Sequence, residues 1–235
     1  MDLQEVMDYL ESKGSAQTKK IYGRHGAPDN LFGVKVGDMK AIEKKERNNH
    51  GLANELYATG NGDAQYLAGL IANPAEFTSA ELAKWAKEAT WYMVSEYAVA
   101  WNLAEHPDCV AIASEWIHSD DPELQVVGWA GYSAFLSIKK SEGHDIESVK
   151  PLLKKVESEI QSTENRVRYN MNGFVIAVGA AYPELTEECK ALGDRIGEVK
   201  VDLGETACKV PSIRPYIENM ENRGRIGKKK AKAKC

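Results

Sequence analysis

Apolar residues recur at three- and four-residue intervals along almost the whole chain, the spacing that aligns side chains on one face of an α-helix. Leu3, Val6, Met7 and Leu10 mark a helix over 2–13, and Met39 and Ile42 one over Val36–Lys45. Leu67, Leu70 and Ile71 mark a well-buried helix over Ala64–Ala72. Gly, Pro, Asp and Asn clusters break the pattern: GRHGAPDNLFG at 23–33, GNGD at 60–63, Asn73-Pro74, and Ser119-Asp120-Asp121-Pro122, a cap followed by a first-turn proline. Between these breaks the same spacing predicts helices over 19–22, 52–57, 91–101, 106–117, 123–138, 145–161, 165–178 and 183–196, with one more opening at Thr78-Ser79 beside Glu81. Only VKVDLG at 199–204 reads as extended.

Helices joined by short turns, with no run of alternating strands, predict an all-α fold. The architecture expected is an α-solenoid of antiparallel helix pairs, HEAT- or armadillo-like, with roughly 35–45 residues per pair; an irregular helical bundle is the alternative. A solenoid would curve, and its hollow side could follow an elongated ligand. The 43% hydrophobic content supports a folded core over most of the length. No stretch of eighteen apolar residues is present and the N-terminus is amphipathic and acidic, so a cytoplasmic, non-membrane protein is expected. Cys109, Cys189, Cys208 and Cys235 lie far apart, without a C-x-x-C pair, and are expected as reduced thiols.

Charge is unevenly spread. Residues 223–235, RGRIGKKKAKAKC, hold seven basic residues and no acid, which leaves 23 basic against 35 acidic residues elsewhere, a net −12. The sequence therefore divides into a helical-repeat domain over 1–222 and a basic tail over 223–235, expected to be disordered. Nucleic-acid binding would need a local cationic strip together with Lys228, Lys229 and Lys230 of that tail; a merely solubilising terminus is the other reading.

Two stretches carry candidate chemistry. In TWYMVSEYAVAW, Trp91, Val94, Ala98 and Trp101 form one helical stripe, and Tyr92, Glu96 and Val99 lie on a face turned from it. Glu96 has Tyr92, Met93, Val99 and Ala100 at i−4, i−3, i+3 and i+4, so no cation on its own helix can pair with it. It is either solvated or set to meet a positive charge from elsewhere. In STENRVRYNMNGFVIAVG, Arg166 with Asn170 and Arg168 with Asn172 form i,i+4 rows, which serve buried backbone or face phosphates. Phosphate-loop, dinucleotide, zinc-protease and serine-hydrolase motifs are missing, and no metal or cofactor is expected.

At these residues the chain resembles the HEAT-like-repeat DNA alkylation repair proteins, the AlkD-type DNA glycosylases. The similarity runs through YGRHGAPDNLFGVKVGDMKAI at 22–42, WYMVSEYAVAW at 91–101, HPDCVAIASEWIHSDDPELQ at 106–125 and RVRYNMNGFVIAVG at 166–179. It implies a monomer acting on double-stranded DNA with alkylated bases, excising cationic purines without metal or cofactor. It also implies that Glu96 stands at the catalytic Asp, Trp91 and Tyr92 at paired tryptophans, and Phe174 at a further tryptophan, these three contacting the damaged nucleotide. Arg166, Arg168, Asn170 and Asn172, with the tail lysines, would hold the backbone. The family's catalytic Arg corresponds to Val126. Three readings follow: an alkylpurine glycosylase in which Glu96 stabilises the sugar cation and orients water, a non-catalytic DNA-binding repeat protein, and a protein-interaction scaffold.

Overall fold

The computed structural model describes residues 1–234, and helix fills the segments that the apolar spacing marks. In chain order the α-helices are α1 (Leu3–Lys13), α2 (Ala16–Arg24), α3 (Val36–Lys45), α4 (His50–Ala58), α5 (Gly62–Ile71), α6 (Ser79–Glu88), α7 (Ala100–Glu105), α8 (Cys109–Ile117), α9 (Pro122–Leu136), α10 (Lys150–Glu159), α11 (Asn165–Ala181), α12 (Thr186–Ile196) and α13 (Ile213–Asn222). Their starts are chemically marked. Asp2 with Glu5 and Thr78 with Glu81 close capping boxes, and Asp121 caps α9 ahead of Pro122.

Helix α5, the segment Val94–Val99 leading into α7, then α9 and α11 stack in sequence, with α4 against α5, α8 against α9, and α10 and α12 against α11. This is the two-layered helical stack that the sequence predicts. Its interior is one cluster running from Val6 to Ala233, in which Leu56, Leu67, Leu103, Ile117, Trp129, Tyr132 and Phe174 lose nearly all contact with water.

The segment predicted as one regular helix over 91–101 departs from that form. Val94–Val99 is a π-helix that runs directly into α7. The wider turn breaks the 100° repeat, so the two faces read from the sequence both turn inward: Val94, Glu96, Ala98 and Val99 are all buried. Close packing holds the turn. A Cβ on Gly69 would lie 2.4 Å from the Ala98 Cβ. Asn102, fully buried, donates from Nδ2 to the Gly69 and Ala98 carbonyls, both at 2.8 Å.

The basic segment expected to be disordered is instead laid across the molecule as a strap. Gly227 N–H donates to the Ala180 carbonyl of α11, Lys229 Nζ to the Leu136 carbonyl of α9, and Lys230 N–H to the Ser137 carbonyl just beyond it. Ala233 N–H then reaches Glu105 Oε1 at the end of α7, and Lys234 Nζ the Ala72 carbonyl at the end of α5. The strap thus crosses the C-terminal ends of four stacked helices, where unsatisfied carbonyls and the negative pole of each helix attract cations and N–H donors. Attraction of this kind cannot be read from composition, because the carbonyl row exists only after stacking.

Lys234 offers a test. Burial pulls its ammonium down from the ordinary 10.5 to about 8. A depressed lysine means that the folded state releases its proton first, so stability rises with pH between about 8 and 10.5. The gain is expected to reach at most about 3 kcal/mol in denaturant titrations. It should be absent from Lys234→Met, and an equal gain in that variant would remove Lys234 from the strap's anchoring.

Candidate functional site around Glu96

The π-turn carries Glu96 into contact with the first turn of α11. Arg166 Nε donates to Glu96 Oε1 at 2.6 Å and Nη2 to Oε2 at 2.5 Å, a fork-on-fork pair. The carboxylate side chain is 4% exposed and that of Arg166 26%. Arg166 Cζ also lies 4.5 Å from the ring centroids of both Tyr92 and Tyr169, so the guanidinium is held between two aromatic rings while its edge meets the carboxylate. Burial pushes the Glu96 carboxyl up from its ordinary value, against the opposing pull of Arg166 and Asn170. The positive charge from outside the helix, one of two readings the sequence left open for Glu96, is Arg166.

Neighbouring elements complete the wall. Tyr92 Oη lies 3.4 Å from His25 Nδ1, and Trp91 packs against Tyr22 and Tyr92 with centroid distances of 5.4 Å. The loop bearing His25 is fixed by Asp63 in the first turn of α5, whose carboxylate accepts from the N–H groups of Phe32, Gly33 and Val34 at 2.7, 2.8 and 3.2 Å. That contact explains the Phe-Gly-Val motif. Gly33 has φ +81, and a Cβ there would sit 2.5 Å from the Lys19 nitrogen, so glycine is required for the three amides to converge on one anion.

Two grooves flank the pair. One, about 480 Å³, is lined by His25, Tyr92, Tyr97, Arg166, Tyr169 and Lys209. The other, about 300 Å³, is lined by Tyr92, Ser95, Glu123, Val126, Glu164 and Arg166. Tyr92 and Arg166 border both. A third groove, about 470 Å³, runs beside α11 between α13 and the strap, with Gly173, Ile176 and Tyr216 below Arg225, Lys228 and Lys230. A further cavity, about 800 Å³, lies under the loop over 197–212 and does not include Glu96.

Several expected site residues have other work. Phe174 is fully buried and packs on Trp129 and Tyr132 at 5.0 and 5.6 Å, because it shares the core face of α11 with Val167, Met171 and Val178; it is not placed to touch a nucleotide. Arg168 donates to the Lys200 and Thr163 carbonyls, Asn170 to the Arg166 carbonyl and Asn172 to the Pro211 carbonyl. Arg168 and Asn172 thus serve main-chain oxygens, two of them on the irregular segment between α12 and α13, whose backbone needs partners, while Asn170 also supports the Glu96 carboxylate. Lys229 is turned inward to Leu136, leaving Lys228 and Lys230 as the exposed members of that trio. Tyr169, Tyr97 and His25 were not read from the sequence. Only Tyr169 had a local signal, its i+3 spacing from Arg166.

The stack of paired helices that carries this site is the fold of proteins related to the HEAT-like repeat DNA glycosylases. The chain belongs to the DNA alkylation repair enzyme family, whose model matches residues 6–189. It is 34% identical over 220 residues to the uncharacterised protein Lin0241 of Listeria innocua and, equally, to the uncharacterised protein Lmo0209 of Listeria monocytogenes, covering 91% of this chain and 95% of each relative. It is also similar to a solved structure, with TM-score 0.92, 35% identity and complete coverage of both chains. That structure belongs to a new family of proteins related to the HEAT-like repeat DNA glycosylases, with affinity for branched DNA structures.

Proposed function

We propose that this protein binds branched DNA through the grooves beside Tyr92, Arg166 and the strap, and does not excise alkylated bases. The observation that carries the reading is the Glu96–Arg166 fork. A carboxylate that stabilises a sugar cation and orients water needs free oxygen lone pairs facing the substrate. Here both oxygens accept from one guanidinium, whose charge already balances the carboxylate. Val126 supplies no phosphate contact of the kind that the family's arginine gives. DNA affinity is supported by the branched-DNA relative and by the exposed cations Lys209, Arg225, Lys228 and Lys230 along the grooves. Arg166 presents its remaining exposed surface at the same wall.

Incubation with DNA carrying cationic N-alkylated purines is expected to release no free base above a protein-free control, in wild type and Glu96→Gln alike. Gel-shift titration is expected to show tighter binding to a four-way junction than to a linear duplex of equal length, weakening steeply with salt. Base release by wild type that Glu96→Gln abolishes would overturn the non-catalytic part. Equal, weak, salt-insensitive binding to both DNAs would overturn the rest.

A further inference from the structure

The surroundings of the Arg166 guanidinium match that group in three independent ways. A carboxylate accepts from two N–H groups on one edge, at 2.6 and 2.5 Å. Two tyrosine rings stand 4.5 Å from Cζ. The carboxylate is screened from water, with 4% of its side chain exposed. An ammonium, compact and without parallel donors, would satisfy the first feature poorly and the second in part.

We propose that Glu96, Tyr92 and Tyr169 form a receptor for a planar organic cation with two parallel N–H donors, and that Arg166 fills it as a tethered occupant. Each wall is held by something other than Arg166. Glu96 is fixed by the π-turn, which Gly69 and Asn102 lock from the side of α5. Tyr92 is braced by Trp91 and His25, and Tyr169 is carried by the α11 backbone. Truncating Arg166 at Cβ therefore removes the occupant and leaves the walls. The vacated space opens to the grooves on both sides, each of which Arg166 borders, so a small cation in solution can reach it. In the native chain the receptor stays closed to external cations, since one would have to displace a guanidinium held at high local concentration by its own helix. The inference is independent of the branched-DNA reading, because it concerns a small cation and not a phosphate backbone.

The test uses the full-length chain and guanidinium chloride at about 20 mM, far below the molar range in which it denatures proteins. Arg166→Ala is expected to melt roughly 6–20 °C below wild type, the loss that follows from stranding a buried carboxylate. Guanidinium is expected to restore a saturable part of that loss, roughly 4–7 °C at twenty times its dissociation constant. Urea, its neutral isostere, and sodium chloride at equal concentration are expected to restore nothing. Wild type and the double variant Arg166→Ala, Glu96→Gln are expected not to respond, the first because the receptor is full and the second because its carboxylate is gone. If Arg166→Ala is unfolded in buffer, the same titration reads recovery of helical circular dichroism. No recovery with guanidinium, or equal recovery with urea or in the double variant, overturns the proposal, while junction binding by wild type is scored separately.

Discussion

Arg166→Met is expected to destabilise the fold by about 3–5 kcal/mol, whereas replacing the pair together, Arg166→Met with Glu96→Leu, recovers most or all of that loss. The asymmetry follows from burial. A lone carboxylate beneath Tyr92 and Tyr169 keeps its desolvation cost and loses the cation that offset it, while two apolar side chains of similar volume carry no such cost. A double-mutant cycle by denaturant titration reads the coupling directly, and additive effects would show that the pair is not a unit. The pH dependence has a fixed sign. The folded Glu96 carboxyl stands above its ordinary value, so the folded state holds the proton more tightly, and its contribution to stability declines as pH rises upward from about 4.5. Without Arg166 that window extends further upward. The deficit of Arg166→Met should therefore shrink in acid, where a protonated Glu96 needs no cation, and a deficit constant from pH 4 to 8 would contradict this account.

A second large effect is expected on the strap. Replacing Arg225, Lys228 and Lys230 together with alanine should weaken junction binding by roughly two to three orders of magnitude at 0.1 M salt, and flatten the slope of log K against log[salt] by about 2.7, at 0.9 per lost phosphate contact. The variant keeps the strap in place. Gly227 and Lys230 still donate from their backbone N–H groups, and Lys229 and Lys234 still reach the helix ends. Melting behaviour close to wild type would confirm that docking survives, so that a change in affinity reads charge alone. An unchanged salt slope would exclude these three side chains from the phosphate path.

The strap shows why a sequence reading of charge can be right about sign and wrong about state. Seven cations in thirteen residues read as a solvated tail because no partner is visible nearby in sequence. The strap's partners include the carbonyls at 72 and 136, which accept from Lys234 and Lys229, and the carbonyl at 180, which accepts from the Gly227 N–H, all at helix ends that come together only when the repeats stack. The polar row on α11 is a similar case. Spacing showed that Arg168, Asn170 and Asn172 share a helix, but phosphate and backbone carbonyl offer a donor the same chemistry, and only the path of the segment between α12 and α13 separates them. Phe174 was assigned by correspondence with an aromatic position, and helical phase in the folded molecule places it in the core.

By itself the sequence determined the elements. Apolar spacing, caps such as Thr78 and Asp121, and breaks at Gly and Pro act over a few residues, so the helices as far as α12, their stacking class and the isolation of Glu96 on its own helix were legible, whereas α13 was not marked. The tertiary structure alone decided what Glu96 meets. The π-turn that rotates it inward depends on Gly69 accepting Ala98 at close range, and its partner lies seventy residues away on α11. Contacts of that range leave no periodic trace along the chain, because they arise from the packing of whole helices and not from the preferences of neighbours.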